Sequence, residues 1–339
     1  MSNTAFVITL VAAIFANCSQ QPGLNDKSVN MEWRRVQSSF RGANYAWFLS
    51  PKGELLRTSD GGNTWDRSNN KALAGCRSIS FVSETAGWAL KERGEVWHTT
   101  DGGNKWRLRS TLHDGNSAEN IYFADDMNGW AIEAVSMWRT SNGGFDWQRV
   151  FPIDNAKSPT SLFHSFEFAD SQYGWLCGER GVLYHTTDSG LTWKWQQVSP
   201  VTTEINSASF LDKSNGWVSS RPRSKVYSTT DGGTTWLRHD LPLENIDIFS
   251  LFFRDSRNGW AVGTDRERLP TGPDRVWGVV LRTEDGGVTW APVSVPGTQL
   301  FYSRVVFTDS KTGWLVGRDT IYRTEDGGNQ WKTVLAIGN

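Results

Sequence analysis

Thr58-Ser59-Asp60-Gly61-Gly62-Asn63-Thr64-Trp65 is the first of seven copies of one phrase, Thr-x-Asp-x-Gly-x-x-Trp, called the box below; the third copy has Asn142 in place of the aspartate. The boxes end at Trp65, Trp106, Trp147, Trp193, Trp236, Trp290 and Trp331. The intervals between these tryptophans are 41, 41, 46, 43, 54 and 41 residues. A period in this range predicts that each repeat is one supersecondary unit, which buries its apolar face only by stacking on its neighbours.

A second recurring phrase precedes each box. It consists of a phenylalanine, a polar turn, Gly-Trp and an apolar run, as in Phe81 followed by Gly87-Trp88-Ala89-Leu90. The first repeat has Ala46-Trp47 in place of Gly-Trp. Two tryptophans in each of seven repeats account for 14 of the 19 in the chain. The high tryptophan content therefore indicates packing before it indicates a binding surface.

Each repeat divides into four short strands. Strand A carries the phenylalanine, strand B begins at Gly-Trp, strand C ends at the box threonine and strand D begins at the box tryptophan. Four antiparallel strands repeated seven times predict an all-β, seven-bladed propeller over residues 31–339. The segment Trp33-Arg34-Arg35-Val36 reads as an extra strand, which either pairs with the last blade or displaces the C-terminal strand outward.

The acidic residue of the box has a local structural interpretation. Its side chain accepts backbone N–H groups of its own turn, while the glycines supply positive φ angles. A catalytic group is needed once, not seven times. We therefore predict a structural role for the box residues, with the tryptophan covering the seam to the next blade. They are Asp60, Asp101, Asn142, Asp188, Asp231, Asp285 and Asp326.

The charge balance and the N-terminus bear on location. With 35 basic and 36 acidic residues, the net charge of −1 gives no support for nucleic-acid or anionic-membrane binding. Ala5–Ala16 is an apolar run that suits a signal peptide. We predict a signal segment over residues 1–18 that ends in a lipidated Cys18, and a tether over residues 19–30. The chain is then periplasmic or at the cell surface. A plain signal peptide that happens to contain a cysteine is the alternative.

The other two cysteines indicate neither a disulfide nor a metal site. Cys177 occupies a strand-B position that is valine in other repeats, so it reads as a small core residue. Cys76 falls in a repeat that is not adjacent to it. No Cys or His spacing suggests zinc, and no cofactor is expected.

The two phrases resemble known families. The box alone resembles the bacterial neuraminidase (Asp-box) repeat of sialidases, xyloglucan-cleaving hydrolases and sortilin-type receptors. Its combination with Gly-Trp in one exported propeller resembles the photosystem II stability/assembly factor family of cyanobacteria and plastids, over roughly residues 31–339. This resemblance implies a monomeric, non-catalytic protein that scaffolds a membrane-protein or cell-envelope complex. Nothing in the residues themselves indicates photosynthesis.

The alternative is a carbohydrate-active propeller, either a sialidase-like hydrolase or a glycan-binding module. A sialidase resemblance implies an arginine cluster, a tyrosine nucleophile and an Arg-Ile/Leu-Pro phrase before the first box. Here Arg268-Leu269-Pro270 follows five boxes instead. No convergent acid–base set is evident, so no catalytic residue is assigned.

The variable B–C and D–A connections share one face, where we expect the partner to bind. The longest of them, Thr264 to Gly278, stretches the period to 54 residues. The predicted partner-binding residues are Arg221, Arg223, Lys225, Arg266, Arg268, Arg275, Trp277 and Arg318. Arginine and tryptophan are enriched at interface hot spots, although the same residues also suit a solvated loop with internal ion pairs.

The residue before each box threonine is mostly basic: Arg57, His98, Arg139, His185, Ser228, Arg282 and Arg323. Such a set either meets an acidic partner or serves the fold by neutralising turn carboxylates and covering strand edges. We favour the structural interpretation.

Overall fold

A computed structural model describes residues 37–50, 52–112, 118–133, 136–151, 163–198, 204–221, 224–265, 278–297, 301–318 and 320–336. Within these ranges the strands form seven four-stranded antiparallel sheets, each with its strands in chain order. The predicted all-β, seven-bladed fold is confirmed. No helix in the described ranges is long and apolar enough to cross a membrane. The signal segment, Cys18, the tether and Trp33–Val36 lie outside the described residues.

The chain divides into two compact units at Val150, within the outer strand of the third blade. The first unit holds three blades and a short 3₁₀ helix, Lys71–Leu73. Its strands are β1 Gln37–Arg41, β2 Tyr45–Leu49, β3 Glu54–Thr58 and β4 Asp66–Asn69; β5 Cys76–Phe81, β6 Gly87–Lys91, β7 Glu95–Thr99 and β8 Arg107–Thr111; β9 Ala118–Phe123, β10 Gly129–Glu133, β11 Ser136–Thr140 and β12 Gln148–Phe151.

The second unit holds four blades. Its strands are β13 Phe163–Phe168, β14 Gly174–Gly178, β15 Leu183–Thr186 and β16 Lys194–Gln196; β17 Glu204–Phe210, β18 Gly216–Arg221, β19 Val226–Thr229 and β20 Leu237–His239; β21 Ile246–Phe253, β22 Gly259–Asp265, β23 Gly278–Thr283 and β24 Ala291–Pro292; β25 Tyr302–Phe307, β26 Gly313–Gly317, β27 Thr320–Thr324 and β28 Lys332–Ala336.

The glycine of Gly-Trp is required by the phenylalanine of its own blade. In the second blade the Phe81 ring lies against Gly87, and a Cβ there would stand 2.5 Å from a ring carbon. The two turns at this end of the blade are also tied together, because the Gly102 N–H of the box donates to the Thr85 carbonyl at 2.9 Å. The same bond recurs in all seven blades. We call this end of each blade the box end.

The tryptophan of Gly-Trp forms the seam to the next blade. Trp47 stacks face to face on Phe81 with ring centroids 4.1 Å apart, and its indole N–H donates to the Gly102 carbonyl of that blade. The box tryptophan Trp106 meets Phe81 edge-on from within the same blade. The prediction that the box tryptophan covers the seam to the next blade is wrong, because Trp106 packs instead at the seam with the preceding blade.

Strand D begins one residue later than predicted, as in β8, which starts at Arg107. The box tryptophan is still part of the turn, because the Trp106 indole N–H donates to the Gly103 carbonyl of its own box. Cys76 and Cys177 are both buried free thiols, each within its own unit.

Candidate functional site

The box carboxylates are engaged inside their own turns. In the first box the Thr58 hydroxyl donates to Asp60, while Thr64 donates both its N–H and its hydroxyl to the same carboxylate. These bonds, those from Thr64 above all, lower the pKa of Asp60 to about 2. The pKa values of Asp231 and Asp285 are lowered to about 2 by the same arrangement. A carboxylate held in this way stays ionised near neutral pH and is a poor proton donor.

The third box reverses one of these bonds. Asn142 stands at the acidic position, and its Nδ2 donates to Asp146 Oδ2 at 2.9 Å. In the first box the corresponding bond runs the other way, from the Thr64 hydroxyl to Asp60. Asn142 Oδ1 still accepts from the Thr140 hydroxyl and the Asp146 N–H. The turn therefore keeps its geometry with its charge moved four residues along.

The basic residues before the box threonines cover the tryptophans of Gly-Trp. The His98 ring lies 4.8 Å from Trp88, and the His185 ring lies 4.8 Å from Trp175. The guanidiniums of Arg282 and Arg323 stand over Trp260 and Trp314 at 5.6 and 5.7 Å. Trp88, Trp175 and Trp260 are thus packed by their own blade as well as by the phenylalanine of the next, Phe123, Phe210 and Phe307.

Three of the predicted partner-binding residues are described. Arg221 Nη1 lies 3.7 Å from Glu204 Oε1, its Nε lies 3.8 Å from Asp247 Oδ1, and its guanidinium stands over Phe249. Lys225 pairs with Asp240 at 3.1 Å, and Arg318 is buried with 8% of its surface exposed. Arg223, Arg266, Arg268, Arg275 and Trp277 lie outside the described residues, so the predicted set stays a prediction.

A basic pocket that sequence reasoning missed lies at the box end between the sixth and seventh blades. This blade 6–7 pocket has a volume of about 460 Å³ and is lined by Arg254, Arg282, Ser310, Lys311, Glu325, Asp326 and Gly327. Arg254 follows the strand-A phenylalanine, where the first blade also has an arginine, Arg41, and the second to fifth and the seventh blades carry Val82, Ala124, Ala169, Leu211 and Thr308. The change from an apolar or small residue in most blades to an arginine at this position was the sequence feature that could have indicated the pocket.

Most charged groups that line the blade 6–7 pocket have hydrogen-bond or ion-pair partners. Arg254 Nη1 donates to the Ser310 carbonyl at 2.6 Å and its Nε pairs with Asp255 at 3.2 Å, while Arg282 pairs with Glu284 at 2.8 Å. On the acidic side, the Asp326 carboxylate accepts the Gln330 N–H and the hydroxyl of its box threonine.

The second carboxylate of the pocket, Glu325, is bonded to Arg323. In contrast, no acidic group of the described residues pairs with the Lys311 ammonium. Lys311 is therefore the one basic group lining this pocket that has no acidic partner among the described residues.

One carboxyl group is fully buried between the fourth and fifth blades. Glu167 Oε1 accepts the Phe210 N–H at 3.2 Å, whereas in the first, second and fifth blades a serine accepts the corresponding N–H, as Ser80 does from Phe123. Glu167 Oε2 has no hydrogen-bond partner among the described residues. Burial raises the pKa of this group well above its ordinary value and so favours its neutral form. It is 2% exposed and out of reach of a substrate.

Among the described residues, no group of three or more His, Cys, Asp or Glu side chains could hold a metal ion.

Repeated box turns and Trp-Phe seams define an Asp-box propeller. A sequence model of the family described as "Photosynthesis system II assembly factor YCF48" matches residues 110–200 and 152–245, which confirms the resemblance found in the sequence. No curated protein sequence matches the chain.

Solved structures share the fold. YCF48 from Cyanidioschyzon merolae is 19% identical, with a TM-score of 0.69, covering 87% of this chain and 96% of that one. A structure described as YCF48 bound to D1 peptide is 19% identical, with a TM-score of 0.66 and coverages of 86% and 93%. The GH74 xyloglucanase from Xanthomonas campestris is 14% identical, with a TM-score of 0.68 and coverages of 89% and 54%. At these identities the likeness shows the fold alone.

Proposed function

We propose that this chain is a non-catalytic propeller that binds an acidic segment of a membrane-protein or cell-envelope complex. The observation that carries the proposal is the blade 6–7 pocket, in which Arg254, Arg282 and Lys311 converge and Lys311 has no acidic partner among the described residues. An acidic side chain or the C-terminal carboxylate of the partner forms a charge-assisted hydrogen bond with Lys311 when it enters this pocket.

Two further facts support a polypeptide partner. A propeller of the same fold has been solved with a bound peptide, in the structure described as YCF48 bound to D1 peptide. The guanidiniums of Arg254 and Arg282 also both stand over Trp260, at 5.5 and 5.6 Å, so they are held in place before a ligand arrives. Pre-organised arginines lose little side-chain entropy on binding.

The test is affinity capture of partners from native membranes by the tagged full-length chain, identified by mass spectrometry. Arg254→Ala/Lys311→Ala removes two charges from the pocket, and Lys194→Ala/Lys332→Ala removes two exposed charges from outer strands as the matched control. We expect a discrete partner that the pocket variant loses and the control variant keeps. Equal capture by both variants would place binding elsewhere, and no capture by the wild type would count against a scaffold.

A carbohydrate-active function is the second candidate, favoured by the structural likeness to a xyloglucanase. A glycosidase needs a carboxyl group that donates a proton to the leaving sugar. The box carboxylate Asp60 is held ionised, and Glu167, whose pKa is raised, is buried, so neither meets that need. Release of reducing sugars from xyloglucan by the purified chain would favour this candidate over the scaffold.

The place of action is a separate part of the proposal. We propose export and a lipid anchor at Cys18, because a short apolar run precedes this residue and a polar stretch follows it. Cys18→Ser should move the chain from the membrane fraction to the soluble exported fraction. Retention of the variant in membranes would show that another contact anchors it.

A further inference from the structure

Two exposed apolar side chains emerge from adjoining turns at the box end of the third blade. Met127 lies between β9 and β10 and is 52% exposed, while Phe145 lies in the box turn after β11 and is 61% exposed. The Gly143 N–H donates to the Met127 carbonyl at 2.8 Å and so holds the two turns together. Single exposed apolar residues are common, whereas a fixed pair of them is not.

The pair is specific to the third blade. At the position of Met127 the other blades carry Asn44, Thr85, Gln172, Ser214, Arg257 and Lys311. At the position of Phe145 they carry Asn63, Asn104, Leu191, Thr234, Val288 and Asn329. Leu191 and Val288 are also exposed apolar residues at the position of Phe145, but no other blade carries an apolar residue at both positions, so packing of the repeat does not require the pair.

One face of the Phe145 ring is covered by an arginine of the second blade. The Arg109 guanidinium of β8 stands 4.1 Å from the centre of the ring, and Arg109 Nη2 lies 2.5 Å from His98 Nδ1. His98 in turn lies over Trp88, which stacks on Phe123 at 3.8 Å. Burial, with a contribution from Arg109, lowers the pKa of His98 to about 4, so the neutral ring accepts this bond. One face of Phe145 is therefore fixed, while most of its side chain is exposed.

Three aspartates adjoin the apolar pair in sequence, Asp125 and Asp126 before Met127 and Asp146 after Phe145. Asp125 caps its own turn by accepting the Met127 and Asn128 N–H groups, and Asp146 accepts only from the third box turn. Asp126 has no ion pair and no side-chain hydrogen bond within the described residues. We call Asp125, Asp126, Met127, Phe145 and Asp146 the blade-3 patch.

We propose that the blade-3 patch is a docking surface for a basic segment of a partner polypeptide. An apolar side chain of that segment packs on Met127 and Phe145, and flanking lysine or arginine residues pair with the aspartates. Methionine and aromatic residues are enriched at interfaces, and the negative rim selects a positive partner. The patch has the opposite charge to the blade 6–7 pocket, so this inference stands whether or not that pocket binds.

The test is selection of short random peptides, displayed on phage, against the full-length chain, followed by affinities from fluorescence polarisation. Met127→Ser/Phe145→Asn installs the residues of other blades, so the fold should be retained, and near-UV circular dichroism checks this. We expect enriched peptides with an apolar residue flanked by Lys or Arg, whose affinity falls about tenfold or more in this variant. Leu237→Ser removes a comparably exposed apolar residue, 64% exposed, and should change nothing.

Charge is tested separately. Asp126→Lys breaks no side-chain bond within the described residues and should weaken the same peptides several-fold, with a reduced dependence on salt. The Arg254→Ala/Lys311→Ala variant should bind them as the wild type does. The proposal is overturned if Met127→Ser/Phe145→Asn binds the peptides unchanged, or if no basic peptide is enriched. It is also overturned if sedimentation shows self-association that this double variant abolishes, which would assign the patch to a second copy of the chain.

Discussion

We predict that Asn142→Asp destabilises the protein by about 2 kcal/mol and that Asp146→Thr rescues it. The substitution replaces the amide that donates to Asp146 Oδ2 at 2.9 Å with a second carboxylate at the same place. Two unit charges at that separation repel by about 1.4 kcal/mol in bulk water, and more where the turn excludes water. Loss of the hydrogen bond adds roughly 1 kcal/mol.

The rescue follows from the first, fourth, fifth and sixth boxes. There a threonine hydroxyl donates to the aspartate at 2.6 Å, from Thr64, Thr192, Thr235 and Thr289. Asn142→Asp/Asp146→Thr rebuilds that arrangement in the third box. The single change Asp146→Thr should cost less than about 1 kcal/mol, because its hydroxyl still accepts from Asn142.

The assay is urea unfolding of the four proteins that make up this double-mutant cycle, at low and at high salt. We expect a coupling energy of about 2 kcal/mol between the two positions, reduced by salt. A stability of Asn142→Asp within about 0.5 kcal/mol of the wild type would refute the reasoning, since that is the range of neutral surface changes. So would a double variant no more stable than Asn142→Asp.

Two further predictions concern the seams. Glu167→Gln should raise stability at neutral and alkaline pH but not below its ordinary pKa of 4.5, because burial raises the folded pKa and the folded chain then binds the extra proton. The free energy of unfolding of the wild type therefore falls as pH rises from 4.5 to the folded pKa of Glu167, by about 1.4 kcal/mol for each pH unit in that interval. Urea unfolding midpoints measured across pH test this. Parallel curves for the wild type and Glu167→Gln would contradict it. Trp217→Phe should lower the free energy of unfolding by about 1–2 kcal/mol more than Trp175→Phe does. Of these two indoles, the Trp217 N–H donates to the Gly286 carbonyl, whereas the Trp175 N–H has no hydrogen-bond partner among the described residues. Equal losses in the unfolding free energy would show that this bond adds nothing.

The blades could be predicted from the sequence because each signal is local. Gly-Trp marks the start of strand B, and the glycine is needed for a contact only six residues away, as Gly87 shows against Phe81. The direction of packing could not be predicted in the same way. Trp47 and Trp106 recur with the same period, and the pattern does not say which of them faces the next blade. That depends on strand register, which puts Trp47 opposite Arg57 and against Phe81.

The candidate site was harder to predict because its charges are balanced by residues distant in sequence. A count of basic residues in the loops favoured Arg221, but Glu204 and Asp247 from two other strands lie beside it. The blade 6–7 pocket joins Arg254 to Lys311, residues with no shared motif. Sequence gives the charge of each side chain, whereas only the fold gives the neighbours that neutralise it.

Departures from the repeat therefore separate into two kinds. Asn142 and Glu167 differ from the residues of other blades, yet each has a hydrogen-bond partner nearby. Asn142 donates to Asp146, and Glu167 accepts from the Phe210 N–H. Met127 also differs from the residues of other blades and is exposed. Lys311 stands at the same variable position in its own blade and has no acidic partner among the described residues. Packing within the fold is provided by residues that recur in every blade. An exposed residue that occurs in one blade only, and has no partner there, is therefore better explained by a contact outside the chain. This reasoning directs the binding experiments to the blade-3 patch and the blade 6–7 pocket.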